Sequence, residues 1–336
     1  MDVPTEQIGR RAGPGATQRP TGRLSSVMAG SALFSALLAV ALGGVVRVTG
    51  SGLGCPDWPL CYGSVIPPWE LAAWLEYIHR LSAAVSGVFT FLMVAAIFMR
   101  YGLRSRMFLA ASLAGTLLLI QAALGAFTVL SEIEPGWALF HTGVATGLVG
   151  VLSLIAAWEI RPQWLYQGVS TSHQLDGLRG PMVALGAASF VLILSGAYVT
   201  RSVGAPLACT VIPLCNVMPW DMTWPQWIHM THRLLALLVV VLMVAALLRS
   251  AAVPHGGTRA AVSFMSALLL LQIVLGMSNV WFRLPPDVRA AHLVAAILFF
   301  ATAMLFLGRL WDWAGEERRS EATSGDGGRT HIGVSP

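Results

Sequence analysis

The stretches WLEYIHRLSA (residues 74–83) and WIHMTHRLLA (residues 227–236) each open a long apolar run with a His-Arg pair. Ionisable side chains are costly to insert into a membrane, so a position that carries one twice is a functional candidate. The residue three places before the histidine of each His-Arg pair differs between the two copies. It is Glu76 in the first copy and His229 in the second. The stretches therefore predict a duplicated membrane-helix unit whose two copies have different chemistry.

The composition of the whole chain supports a membrane protein. Of its 336 residues, 56% are hydrophobic and only 11% are charged, which is typical of multi-span membrane proteins and excludes an ordinary soluble domain. Eight segments have the roughly 20 apolar residues that a membrane-spanning helix needs. They lie near residues 27–46, 74–99, 107–130, 137–158, 181–200, 226–248, 260–282 and 288–310.

Arginine, the only basic residue type apart from histidine, predicts the orientation. Fifteen of the 21 arginines fall in the tails and in the loops on the same side as the tails, and six fall on the other side. By the positive-inside rule, both termini are cytoplasmic and the protein is a multi-pass plasma-membrane protein. This topology accounts for the positive net charge, so no nucleic-acid partner is expected and the lipid bilayer is the main surrounding. Residues 1–26 and 312–336 are predicted to be disordered cytoplasmic tails.

Further matches extend the repeat over the whole membrane part. VRVTGSGLGCPDWPLC (residues 46–61) aligns with TRSVGAPLACTVIPLC (residues 200–215), and IQAALGAF (residues 120–127) aligns with LQIVLGMS (residues 271–278). Because each copy has four spans, both run in the same direction. The prediction is an all-α integral membrane protein with eight transmembrane helices, arranged as two tandem parallel-oriented four-helix bundles with pseudo-twofold symmetry. Its predicted parts are an N-terminal half at 27–160, a cytoplasmic linker at 161–180 and a C-terminal half at 181–311.

Four cysteines lie in two loops that are assigned to the outer face. Thiols on that oxidising side can persist as disulfides. Four cysteines allow three connectivities. Pairing within each loop is expected, as Cys55–Cys61 and Cys209–Cys215, because five intervening residues readily close a ring.

Four histidines recur at equivalent positions near the outer ends of alternate helices. His79 and His141 belong to the first half, and His232 and His292 belong to the second. A single histidine near the membrane interface is usually just solvated or hydrogen-bonded. Two imidazoles that face each other across a bundle suit a six-coordinate haem iron, whereas zinc would require three or four ligands. The repeated pattern therefore favours two haem sites.

Each charged residue near these histidines has two possible roles. Arg80 and Arg233 follow the ligand histidines, and Arg47 and Arg201 follow spans 1 and 5. Each arginine can extend to the interface or bind a haem propionate. Glu76 shares a helix face with His79, so it is either a proton-exchanging acid beside a haem or a hydrated charge at a helix start. Its replacement by His229 suggests two cofactor sites, of which only one is equipped for chemistry.

Taken together, several motifs resemble the haem A synthase family. They are the run GGVVRVTGSGLGCPDWPLCYG (residues 43–63), EYIHR in span 2, FHTG in span 4, and the later HR and AH motifs, and the resemblance covers about residues 27–310. It implies an oxidoreductase that converts the C8 methyl group of haem O into a formyl group by successive hydroxylations. The product, haem A, serves haem-copper terminal oxidases. Haem O synthase and terminal oxidase assembly are the partners that the resemblance implies, together with an electron donor that the sequence leaves unknown.

The resemblance also implies roles for individual residues. His79 and His141 flank the substrate haem, His232 and His292 ligate a haem b cofactor, and Glu76 is the catalytic acid. The pair Cys55 and Cys61 matches enzymes of this family in which these cysteines are linked to activity.

Two other functions would use part of the same pattern. A dihaem b-type membrane cytochrome that transfers electrons from quinol requires the same histidines, but it gives no special reason for Glu76 or for the cysteine loop. A membrane thiol oxidoreductase would use the cysteine pairs, but it leaves the histidines unexplained and has no C-x-x-C pair.

Overall fold

A computed structural model describes residues 20–160, 173–253 and 256–326, with side chains for 22–160, 175–253 and 256–311. Within these ranges the chain forms eight long α-helices and no β-strand. The helices are α1 (Pro20–Val48), α2 (Leu71–Tyr101), α3 (Arg106–Leu130), α4 (Pro135–Glu159), α5 (His173–Arg201), α6 (Trp224–Ala251), α7 (Gly256–Trp281) and α8 (Pro286–Asp326).

Side chains that cap the first turns explain where several helices begin. The Ser105 hydroxyl accepts a hydrogen bond from the N–H of Phe108 at 3.0 Å and starts α3. The Glu134 carboxylate accepts from two N–H groups at the start of α4, where a proline occupies the first position. Thr223 and Gln226 form a reciprocal capping box at α6. These contacts satisfy donors that a helix start would otherwise leave unpaired.

All eight helices are long and apolar enough to cross a membrane, so the predicted number of spans is confirmed. In such a segment, helical hydrogen bonding is how the backbone polar groups are satisfied without water. Helices extend into parts of the predicted tails and linker, because α1 begins at Pro20, α5 begins at His173 and α8 continues to Asp326, whereas α4 ends at Glu159, just before the predicted linker. The remaining parts of those predictions, residues 1–19, 161–172 and 327–336, lie outside the described residues.

The helices pack as two rings of four. In the first half, α1 contacts α2 and α4, and α3 contacts the same two helices. In the second half, α5 contacts α6 and α8, and α7 also contacts both. Contacts of α4 with α5 and α8, and of α1 with α8, join the halves along a seam. Two copies of one four-helix unit would produce this pattern, and the pseudo-twofold axis itself stays a prediction.

Packing is uneven along the bundle. The end that carries the two cysteine loops (residues 49–70 and 202–223) is called the loop end, and the other is called the far end. Large buried side chains concentrate towards the far end, with Met93, Ile97, Leu152 and Ile155 in the first half. In α3, by contrast, no residue between Gly115 and Val129 is fully buried. Buried large side chains are therefore scarcer towards the loop end, where the four histidines lie.

Candidate functional site

His79 on α2 and His141 on α4 form the first histidine pair, and their charges are close enough to interact. Nδ1 of His79 lies 3.0 Å from the carbonyl oxygen of Ala39. Because a carbonyl can only accept, Nδ1 carries the proton and the lone pair of Nε2 is free to bind a metal. Nε2 of His141 lies 3.2 Å from the side-chain nitrogen of Gln121, while its Nδ1 is buried with no hydrogen-bond partner.

The second pair, His232 on α6 and His292 on α8, repeats this arrangement. Nδ1 of His232 lies 2.8 Å from Ser195 Oγ, and that hydroxyl is 2.8 Å from the carbonyl of Leu192. The hydroxyl has one proton, which it donates to the carbonyl, so it accepts from Nδ1–H and leaves Nε2 of His232 unprotonated. Nε2 of His292 is 3.3 Å from the side-chain nitrogen of Gln272, and its Nδ1 is also buried without a partner.

Each of the four histidines packs against a glycine on the neighbouring helix. A Cβ added to Gly43 would lie 2.7 Å from Cε1 of the histidine that it faces, and one added to Gly196 would lie 2.9 Å from Cε1 of its own. Both distances are too short for a real Cβ atom. A Cβ added to Gly125 or Gly276 would lie 3.3 or 3.2 Å from Cε1 of the facing histidine. The partners are His79 for Gly43, His141 for Gly125, His232 for Gly196 and His292 for Gly276. The glycines thus set the distance between each histidine ring and the adjacent helix.

Gln121 and Gln272 were missed by the sequence analysis, although a signal for them was present. Both lie within the aligned stretches at residues 120–127 and 271–278, at the same position of each copy. A polar side chain that recurs in two apolar helices is costly, and its recurrence indicates a role. Each precedes the glycine that packs on the same histidine by one helical turn, so α3 and α7 each contact a histidine at two points.

The donor set fits a haem in each half. Two histidines come from helices on opposite sides of a ring, and one of each pair has a free Nε2 lone pair. The other nitrogen of His141 and of His292, and the side-chain oxygens of Gln121 and Gln272, are buried without partners. Buried polar atoms normally find a partner, so a polar or metal-containing ligand belongs near them. Among the described residues, no group of three or more His, Cys, Asp or Glu side chains could hold a metal ion, which disfavours a zinc-type site.

Glu76 lies one turn from His79, and their charges interact. It is only 5% exposed, and its Oε1 accepts a hydrogen bond from Nε of Arg80 at 2.9 Å. In the second half, the equivalent His229 is also buried, and its Nδ1 lies 3.0 Å from the carbonyl of Ala205. The structure therefore has a buried carboxylate beside the first histidine pair and a buried, hydrogen-bonded imidazole beside the second.

Arg80 and Arg233 anchor the cysteine loops. Nη1 of Arg80 donates to the carbonyls of Asp57 at 2.8 Å and Leu60 at 2.9 Å, and Nη2 donates to Cys55 at 3.0 Å. Arg233 donates to the carbonyls of Val211, Pro213 and Cys209 in the same way. The sequence analysis did not predict this role, and it differs from propionate binding because most donors of both guanidinium groups are engaged by loop carbonyls.

Disulfides close both loops, as Cys55–Cys61 and Cys209–Cys215. In the first loop, the Asp57 carboxylate accepts from the N–H groups of Tyr62 at 2.6 Å and Gly63 at 2.7 Å. These hydrogen bonds, that of Gly63 foremost, lower the pKa of the partly exposed Asp57 below its usual value. A side chain at Gly54 would collide with the backbone of Ala72, so the loop lies directly on the start of α2.

Arg47 and Arg201 lie at the seam between the halves. Arg201 donates through Nη2 to the carbonyl of Ala138 at 2.9 Å and to Oγ1 of Thr142 at 3.1 Å, both on α4. Arg47 makes no side-chain hydrogen bond to any described residue, and the charges that act on it are those of Arg201 and Arg289. The seam therefore gathers three guanidinium groups, of which Arg289 was not singled out from the sequence.

Comparison with known proteins gives a consistent result. The model of a family described as cytochrome oxidase assembly protein, COX15-CtaA, matches residues 26–304. The haem A synthase of Bacillus licheniformis is 29% identical over 287 residues, which cover 81% of this chain and 91% of that protein. That of Shewanella oneidensis is 28% identical over 324 residues, covering 83% and 94%. That of an Exiguobacterium species is 31% identical over 210 residues, covering 61% and 66%.

Proposed function

Because the chain belongs to the COX15-CtaA family of cytochrome oxidase assembly proteins, we propose that it is a haem A synthase. In this role it is a multi-pass membrane oxidoreductase that oxidises the C8 methyl group of haem O to a formyl group. Relatives that carry the name haem A synthase, with similarity over most of the chain, support this function over a quinol-linked dihaem cytochrome. The structural observation that carries the proposal is a duplicated histidine pair with a buried carboxylate in only one copy.

The two histidine pairs divide the binding of haem between the halves. His79 and His141 hold the substrate haem O, and His232 and His292 hold a haem b cofactor. The protonated Nδ1 of His79 and His232 supports iron ligation in both halves, since it leaves Nε2 as the ligand atom on both α2 and α6. Haem b, when bound, supplies a redox-active iron that passes single electrons.

Glu76 exchanges protons beside the substrate. Each of two hydroxylations replaces a C–H bond of the methyl carbon by a C–OH bond, a two-electron oxidation that draws on an external oxidant, and the resulting geminal diol loses water to form the aldehyde. In that dehydration a proton leaves one hydroxyl and another joins the departing hydroxyl, and a carboxylate near the reacting edge can transfer these protons. Arg80 holds Glu76 by an ion pair at 2.9 Å and is itself fixed by the cysteine loop, so the loop positions the acid. His229, which donates to a carbonyl, has no equivalent role.

The orientation of the chain follows from its arginines. We place the loop end on the outer side of the plasma membrane and both termini in the cytoplasm, because fifteen arginines lie on the far-end side and in the tails. Disulfides in both loops of the loop end support this placement, since that side is oxidising. Haem O synthase is then the expected source of the substrate, and terminal oxidase assembly is the expected destination of haem A.

The change Glu76→Gln tests the role of the carboxylate, with His229→Gln as the matched control. Glutamine keeps an acceptor for Nε of Arg80 but cannot exchange a proton at neutral pH. We expect Glu76→Gln to fold, to retain haem b and haem O, and to form little or no haem A, whereas His229→Gln keeps most of the turnover. Haem A is measured by extraction, chromatography and mass analysis, and haem b by its reduced-minus-oxidised spectrum. Near wild-type haem A formation by Glu76→Gln would remove Glu76 from the mechanism.

A further inference from the structure

Arg201 belongs to the second half by sequence but contacts the first half in space. It is the last residue of α5, and its Nη2 donates to Ala138 and Thr142 of α4. Thr142 directly follows the ligand-type histidine His141, and the charges of Arg201 and His141 interact. The guanidinium group of a second-half residue therefore lies beside the first histidine pair.

Helix packing along the seam brings the end of each half's first helix against the other half. A Cβ added to Gly143 of α4 would lie 3.4 Å from the side chain of Leu194 of α5, seven residues before Arg201. On the other side of the seam, a Cβ added to Gly44 of α1 would lie 2.9 Å from the side chain of Leu293 of α8. The ends of α1 and α5 thus each pack against the opposite half, next to that half's second ligand histidine.

Among the described residues, no carboxylate forms an ion pair with Arg47 or Arg201. Nη1 of Arg201 donates to the carbonyl of Ala197 at 3.1 Å, so its Nε–H and one Nη1–H have no acceptor among the described residues. Arg47 has no side-chain hydrogen bond there, and the charges that act on it are both positive. Like charges gathered in a partly desolvated place repel one another unless an anion joins them. A carboxylate ligand would supply both the charge and the acceptors.

We propose that Arg201 binds a propionate of the haem held by His79 and His141, so that a residue of the second half completes the substrate site of the first. The identity of the anion rests on the proposed function. The remaining N–H groups of Arg201, on Nε and Nη1, lie on different edges of the guanidinium group, and either can donate a charge-assisted hydrogen bond to a carboxylate oxygen. The arrangement also explains why the two halves form one enzyme, because neither half contains all the groups of the substrate site.

The test compares binding of haem O with binding of its dimethyl ester, in which both propionates are neutral. The full-length protein with haem b in place is incubated with each haem without turnover, and bound haem is extracted and quantified. The wild-type protein should prefer haem O. In Arg201→Gln, haem O binding should fall roughly tenfold to a hundredfold, while ester binding should change little, since one charge-assisted hydrogen-bonded pair is lost. Arg201→Lys, which keeps the charge but loses the planar fork, should lie between them.

Two further variants make the result specific. Arg283→Gln removes an exposed charge in the turn between α7 and α8 and should keep the wild-type preference for haem O. Arg47→Gln distinguishes the proposal from its alternative, in which each half binds its haem with its own arginine and Arg47 serves the first histidine pair. Under the proposal, Arg47→Gln should also keep the wild-type preference for haem O. An unchanged haem O preference in Arg201→Gln, or loss of haem b from that variant in place of haem O, would overturn the proposal. A wild-type protein that prefers haem O over the ester but forms no haem A would instead count against the proposed function alone.

Discussion

Replacing Gly196 by alanine should weaken haem b binding without unfolding the protein. The new Cβ would lie 2.9 Å from Cε1 of His232 and 3.5 Å from its Nδ1. Ordinary contacts between carbon atoms are about 3.5–4.0 Å, so the ring has to move by roughly 0.6–1 Å. The ring is fixed by the 2.8 Å hydrogen bond between Nδ1 and Ser195 Oγ, which this movement would break.

The magnitude follows from two costs. Loss of one neutral hydrogen bond costs about 1 kcal/mol. Crowding by an extra methyl group in a packed site costs about 1–3 kcal/mol. Alanine gains up to about 1 kcal/mol over glycine in a helix, which favours folding but does not restore the ring position. A net local cost of about 2–4 kcal/mol corresponds to a loss of haem b affinity of roughly 30-fold to 700-fold.

The assay measures haem b content per protein after purification and the rate of haem b transfer to an excess of apomyoglobin. Gly43→Ala is the matched control, because its Cβ would crowd His79 in the other half, at 2.7 Å from Cε1. That variant should keep haem b with wild-type transfer kinetics and lose haem O binding. A Gly196→Ala protein with wild-type haem b content and transfer rate would show that the contact between this glycine and His232 does not position the ligand.

Two further predictions concern the histidines and the cysteines. Alanine at His232 or His292 should abolish the low-spin haem b spectrum, whereas alanine at His79 or His141 should leave that spectrum and stop haem A formation; equal loss of haem b in both sets would contradict the division between halves. Reduction of both disulfides should leave the fold intact, since closing loops this short contributes only about 2–3 kcal/mol, while Cys55→Ser should lower turnover and keep haem b. Circular dichroism and haem spectra before and after reduction check the first part, and unfolding on reduction would refute it.

Hydropathy was sufficient to predict the eight helices, and the internal repeat is what indicates the two histidine pairs, which stay a prediction. A membrane span must satisfy its own backbone hydrogen bonds, so an apolar run of the right length leaves few alternatives to a helix. The ends were less predictable, because α5 and α8 continue beyond their apolar windows to His173 and Asp326. Hydropathy marks the part of a helix that is apolar, and it carries no information on the polar turns that extend it.

Contacts that depend on tertiary packing could not be predicted. The sequence suggested propionate binding for Arg80, but the fold of the cysteine loop brings three carbonyls to its guanidinium group. Gln121 reaches His141 only because of how α3 is rotated against α4, which a single helix pattern does not specify. Arg201 reaches the first half because α5 packs against α4 where the two halves meet. An alignment of the repeats describes each copy but does not specify how the copies pack together.

The most direct test of the central claim is the haem content of cells that make haem O but have no haem A synthase of their own, with and without this chain. Haems are extracted, separated by reverse-phase chromatography and identified by mass. Expression of the chain should produce haem A, and the purified protein should carry haem B together with haem O or its oxidised products. A purified protein that carries haem B at both histidine pairs, in cells whose haem O stays unconverted, would contradict the account and indicate a dihaem cytochrome.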